Sequence, residues 1–141
     1  MNAGEIPVAV AAEWVEKAEE DLKTASHTLR LGKDCPAATV CFHAQQCVEK
    51  YVKALLAFCS IPFPKTHNIE ALLKLVPSGV VVSLTFDEQR TLTLYATVTR
   101  YPGDYVPVTI VQAREAVKMA RRVRREIRSV LPRRALLRSK T

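Results

Sequence analysis

Phe42-His43-Ala44-Gln45-Gln46-Cys47-Val48-Glu49-Lys50-Tyr51-Val52-Lys53-Ala54-Leu55-Leu56 contains neither glycine nor proline, and its apolar residues recur at helical spacing. Pro36 is suited to opening a helix, and the pattern predicts one from there to about Cys59. Ala37, Val40, Cys41, Ala44, Cys47, Val48, Tyr51 and Leu55 form its apolar stripe. Gln46, Glu49, Lys50 and Lys53 fall largely on other faces. Glu49 and Lys53 have the i,i+4 spacing of a surface ion pair, worth about 0.2–0.5 kcal/mol.

Upstream, Trp14, Ala18, Leu22, Ala25 and Leu29 predict a first helix from about Ala11 to Leu31, stopped by Gly32. Downstream, Ile61-Pro62-Phe63-Pro64 cannot continue a helix and reads as a linker. Thr66 is placed to cap a short helix running to Val76, with Glu70 near its start. From Thr109 a last helix runs to about Leu131, with Ala113, Ala116, Val117, Ala120, Val123, Ile127 and Val130 on its apolar face.

Between these segments the local signals conflict. Val80-Val81-Val82 favours a strand, and Leu92, Leu94, Ala96 and Val98 alternate with Thr91, Thr93, Thr97 and Thr99. Against this, Thr85 with Glu88 has the form of a capping box, and Leu92, Tyr95, Ala96 and Thr99 would share a helix face. The helical reading gives an all-α antiparallel bundle. The other gives an α+β fold with a hairpin between about Val80 and Thr99. Periodicity alone leaves both open.

The 141 residues suit one domain, expected over 1–131, with a flexible basic tail over 132–141. At 48% hydrophobic and 25% charged, the composition argues against wholesale disorder, and 6% aromatics favours helix packing over a β-barrel. No apolar run approaches the roughly 20 residues that span a bilayer. The first residues lack the pattern of a signal peptide, so no membrane association and a cytoplasmic location are expected. Cys35, Cys41, Cys47 and Cys59 form no CxxC pair. A helix would set Cys41 and Cys47 about 240° apart, so reduced thiols are expected rather than a zinc site. Neither metal nor cofactor is expected: no ligand cluster or phosphate-cradling glycine loop is present. His43 and His67 lack a nucleophile's neighbours, and buried or helix-capping roles are expected for them.

The net charge of +7 is unevenly spread. From Arg114 onward eleven Lys or Arg face only Glu115 and Glu126, which leaves −2 for the first 113 residues. The asymmetry suggests an acidic partner, nucleic acid or protein. A solvated helix face with a frayed basic end reads equally from the same pattern.

Arg100-Tyr101-Pro102-Gly103-Asp104-Tyr105 places an arginine, two phenols and a carboxylate in a turn that Pro102 and Gly103 enforce. Such loops between rigid elements commonly carry function. The arginine fork suits phosphate, and the phenols can stack on a base. Alternatively Arg100 pairs with Asp104 or Glu49 and closes a helix end.

Taken jointly, the residues Phe42 to Leu56 closely resemble the signature of the HEPN family of small helical proteins. In that family such a phrase is followed by Thr-His near a short helix, here Thr66-His67-Asn68-Ile69, and then by an Arg-Tyr-Pro turn, here Arg100-Tyr101-Pro102. The resemblance covers roughly Trp14 to Leu131. It implies an up-and-down bundle of four long helices plus a short one, and it turns the Thr-Leu alternation toward helix. It also implies a homodimer, a minimal nucleotidyltransferase as partner in a toxin–antitoxin-like pair, and nucleotide or RNA contact. The implied contacts are Arg100, Tyr101, Asp104 and Tyr105, with Gln46, Glu49 and Lys53 on the same groove.

Some family members are metal-independent endoribonucleases, whose arginine is followed a few residues later by a histidine at the start of the last helix. Here Tyr105 stands in that place, and no histidine follows Arg100. An unperturbed phenol, with a pKa of about 10 against about 6.5 for imidazole, is a poor proton shuttle at neutral pH. Loss of a general acid/base typically costs about 10²–10⁴ in rate. A binding or regulatory module is therefore the expected function. A ribonuclease with Arg100 and Tyr105 as catalytic residues is the alternative. Related proteins can be modified on a tyrosine near this turn, which makes Tyr105 a candidate adenylylation acceptor.

Overall fold

A computed structural model describes residues 3–97 and 107–137. Its helices are α1 (Glu5–Leu29), α2 (Ala37–Phe58), α3 (Ile69–Leu73), α4 (Phe86–Thr97), α5 (Ile110–Arg128) and α6 (Arg133–Leu136), and no strand occurs among the described residues. The four long helices form the all-helical bundle expected from the sequence.

α2 is the central element. Its buried residues include Val40, Ala44, Val48, Tyr51, Val52, Leu55 and Leu56, which surround the helix axis rather than one stripe. A helix apolar on most sides must be covered on most sides, and α1, α3, α4 and α5 all pack against it. Ile69, Leu72, Leu92, Val123 and Ile127 complete the core from the neighbouring helices. Each such side chain contributes about 1.5–3 kcal/mol when fully removed from water.

α1 begins at Glu5, earlier than expected from Ala11. Pro7 is compatible with this because the first backbone N–H groups of a helix have no intrahelical acceptor. The chain turns after α1 at Gly32, whose φ of +64° is the left-handed conformation that glycine adopts at little cost. α2 ends through a bond from Ile61 N to Leu56 O, 2.9 Å, which closes the six-residue cap over a left-handed Ser60 with φ 57°.

The α+β alternative is overturned by α4. Thr85 Oγ1 accepts from Glu88 N at 3.1 Å, and Glu88 Oε1 accepts from Thr85 N at 2.9 Å, so the capping box forms. Leu92, Tyr95 and Ala96 are then buried together. Thr93 satisfies its hydroxyl against Gln89 O at 2.9 Å and accepts the Ile69 N–H at 3.0 Å. Cap, helical face and satisfied threonine together outweigh β-propensity.

Other boundaries also differ from expectation. Asn68, not Thr66, caps α3, its side chain accepting from Ala71 N at 2.8 Å, and α3 ends at Leu73 rather than Val76. α5 starts as read, with a reciprocal Thr109–Gln112 capping box, but ends at Arg128. Val130 is therefore exposed, and Leu131 takes the buried place. Finally, part of the segment expected to form a flexible tail folds as α6, which packs on α1 and buries Ala135.

Candidate functional site

One face of α2 interrupts its apolar surface with Gln45, Gln46, Glu49 and Lys53, all buried. Glu49 and Lys53 are only 2% and 6% exposed. The expectation of a surface ion pair is corrected here: the i,i+4 pair forms, at 2.9 Å, but inside the protein. Burial changes its energetics. Two charges withdrawn from water need dense hydrogen bonding to offset desolvation.

Glu49 supplies that bonding with both oxygens. Oε2 accepts from Lys53 Nζ, while Oε1 accepts from Gln45 Nε2 at 3.0 Å and meets His67 Nδ1 at 2.8 Å. Gln45 Nε2 also reaches His67 O at 3.3 Å, and Gln46 Nε2 donates to Gln45 Oε1 at 2.6 Å. The Lys53 ammonium stands 5.4 Å from the Trp14 ring centroid and 5.8 Å from that of Phe63. These rings meet edge to face at 6.1 Å. A cation over aromatic faces gains about 0.5–2 kcal/mol.

His67 is neither buried nor a cap, contrary to expectation: its side chain is 58% exposed. An ionised carboxylate only accepts, so Nδ1 carries the proton facing Glu49. Nε2 has no partner among the described residues and remains available to a ligand. His43 behaves similarly at a second position, where Asp21 accepts from its Nδ1 at 2.8 Å and from Lys50 Nζ at 2.6 Å.

A third polar cluster ties three helices together. Glu19 on α1 receives a two-point grip from Arg124 on α5, at 2.8 and 2.9 Å, and the Tyr51 hydroxyl of α2 at 2.5 Å. Burial pushes the Glu19 carboxyl up, but the bonds from Arg124 and Tyr51 outweigh it and hold the group below the usual carboxylate range. Burial, then the bond to Glu19, pushes the Tyr51 phenol up. The bond to Glu19 likewise raises Arg124. These groups serve as a structural clamp.

The structure thus brings Gln46, Glu49 and Lys53 together, as the sequence reading grouped them. Arg100, Tyr101, Asp104 and Tyr105 lie outside the described residues. The reading missed Gln45, Trp14 and Phe63 as members of the cluster. Gln45 was detectable, since it stands one turn before Glu49. Trp14 and Phe63 come from a separate helix and a linker, and no local spacing connects them. Among the described residues no group of His, Cys, Asp and Glu could hold a metal ion, and no helix is long and apolar enough to cross a membrane.

Comparison with solved structures finds TT1696 from Thermus thermophilus, 30% identical, with a TM-score of 0.68 over 84% of this chain and 96% of that one. The archaeal HEPN homologue ST0689 is 27% identical, with a TM-score of 0.67 over 86% of this chain and 98% of the other. No curated protein matches the sequence. The HEPN domain model matches residues 11–130, nearly all of the bundle from α1 to the end of α5. By that match and by its helical architecture, the chain belongs to the HEPN domain family.

Proposed function

We propose that this protein is a dimeric HEPN binding or regulatory module that pairs with a minimal nucleotidyltransferase and contacts nucleotide or RNA through the Arg100 turn. The observation that supports it is the α2 cluster, where Glu49 and Lys53 are buried together and one exposed imidazole is held by the carboxylate. A buried ion pair is a poor source of stability compared with apolar packing. Its presence on the central helix is better matched to holding His67, Gln46 and the neighbouring loop in a fixed arrangement for a ligand. In this reading Arg100 supplies the phosphate fork, and Tyr101, Asp104 and Tyr105 complete the contact.

Tyr105 in place of the ribonuclease histidine favours binding over cleavage. The test is nucleotide binding and RNA cleavage by wild type beside Arg100→Ala. Wild type is expected to bind nucleotide and leave RNA intact, and Arg100→Ala to bind about tenfold to a hundredfold more weakly, as loss of a charged hydrogen bond implies. Arg100-dependent cleavage would establish the endoribonuclease alternative instead. The partner reading is checked by co-purification with the product of a neighbouring nucleotidyltransferase reading frame. Intact mass after co-expression tests Tyr105 as an adenylylation acceptor, and light scattering tests the dimer.

A further inference from the structure

The outward face of α5 carries Arg114, Lys118, Arg121, Arg125 and Arg128, recurring every three or four residues. At 1.5 Å per residue this row extends about 21 Å along one side of the helix. The opposite side buries Ala113, Ala116, Val117, Ala120, Val123 and Ile127, which turns Arg114, Lys118, Arg121 and Arg125 toward solvent, while Arg128 is part-buried at the end of the row.

Carboxylates compensate little of this charge. Among the described residues neither Arg114 nor Arg125 pairs with a carboxylate. Arg121 bonds only the Ser26 hydroxyl, at 3.0 Å. Lys118 meets Glu115 at 3.4 Å, but both are exposed, and such a pair is weak. Arg128 donates to the Tyr51 hydroxyl at 3.3 Å and stands 4.0 Å from Glu19. Beside the row's C-terminal half, a groove is lined by Leu22, Arg121, Arg124, Arg125, Arg128 and Ser129. Neighbouring like charges on a helix repel, so the row carries a cost that the isolated chain does not offset.

We infer that this ridge is an anion site, made of residues other than those of the Arg100 turn, that takes the phosphodiester backbone of a nucleic acid without reading its sequence. Three observations favour this occupant. The ridge is as long as about six phosphates of one strand, at about 3.4 Å each. Arginine forks and serine hydroxyls are the groups that commonly contact phosphate. The groove has one apolar side chain, Leu22, and no aromatic, so it offers neither a stacking platform for bases nor the buried anchor of a protein interface.

The test is fluorescence anisotropy with single-stranded RNA and DNA oligonucleotides of unrelated sequence, from 50 to 200 mM salt. Arg121→Ala/Arg125→Ala is compared with Lys33→Ala/Lys74→Ala, which removes the same charge from exposed sites elsewhere. The ridge variant should bind all sequences more weakly, and its slope of log affinity against log salt should flatten by about 1.4. The control pair should keep the wild-type slope. An unchanged slope in the ridge variant, or equal flattening in the control, overturns the inference. So does a polyglutamate peptide of equal charge that displaces the oligonucleotide as well as RNA does, since the ridge would then be an acidic-protein dock. All four substituted positions are exposed, and matching melting curves will confirm intact folding. Mononucleotide binding separates the two sites: it should be unchanged in the ridge variant and weakened in Arg100→Ala. The ridge result stands even if the Arg100 reading fails.

Discussion

Glu49 and His67, eighteen residues apart in sequence, meet at 2.8 Å and join the central helix to the segment that leads into α3. The carboxylate is buried and the imidazole largely exposed, so a surface group is positioned from inside the bundle.

Lys53 is the group whose removal exposes the cost of this arrangement. Lys53→Met leaves Glu49 buried without its cation, and stability should fall by about 3–5 kcal/mol. The double variant Glu49→Gln/Lys53→Met removes both charges and should regain most of that loss. Urea unfolding of the three proteins measures this, and a double variant no more stable than Lys53→Met would contradict it.

Acid should loosen the clamp at Glu19. Its folded-state pKa lies below the ordinary value of 4.5. The stability it contributes is therefore complete above 4.5 and is lost as pH falls through the lower folded value. Thermal melts between pH 7 and pH 3 should show a smaller loss of stability on acidification in Glu19→Gln than in wild type. Parallel curves would assign the acid sensitivity to other carboxylates.

The thiols should divide by environment. Burial pushes Cys41 up to about 11 and raises Cys47 further, and both side chains are shut off from solvent. Cys35 and Cys59 are partly exposed. Because the thiolate is the reactive species, a thiol reagent at pH 8 should label Cys35 and Cys59 in the native protein. Cys41 and Cys47 should react only on unfolding, as peptide mapping would reveal.

Ser60 holds a left-handed backbone without being glycine. Ser60→Gly relieves that strain and should raise stability by about 0.5–1 kcal/mol after the added freedom of the unfolded chain is counted. The expected gain in melting temperature is roughly 2–4 °C. A lower melting temperature would mean that the serine side chain holds the cap together.

The bundle was legible because its helices announce themselves locally. The spacing in α2, the Gly32 stop and the Thr109 start all act within a few residues. α4 was harder, since threonines alternating with Leu92, Leu94 and Ala96 satisfy a strand pattern, and the decision lay in the Thr85–Glu88 cap. Of the candidate site, the grouping of Gln46, Glu49 and Lys53 was readable, but their burial was not. Burial depends on Trp14 and Phe63 arriving from elsewhere. α6 was missed because its arginines look like solvated tail, while the one informative residue, Ala135, is small and chemically plain.

α6 lies beside the N-terminal half of α1, where Leu136 and Leu137 line a cavity with Ala12, Val15 and Glu19. α1 is thus completed by a segment made well after it. At about 5–20 residues per second, roughly 5–20 s separate synthesis of Leu29 from that of Leu136. During that interval α1 has an uncovered flank, and a nascent chain stalled before α6 should be the form that chaperones and proteases recognise.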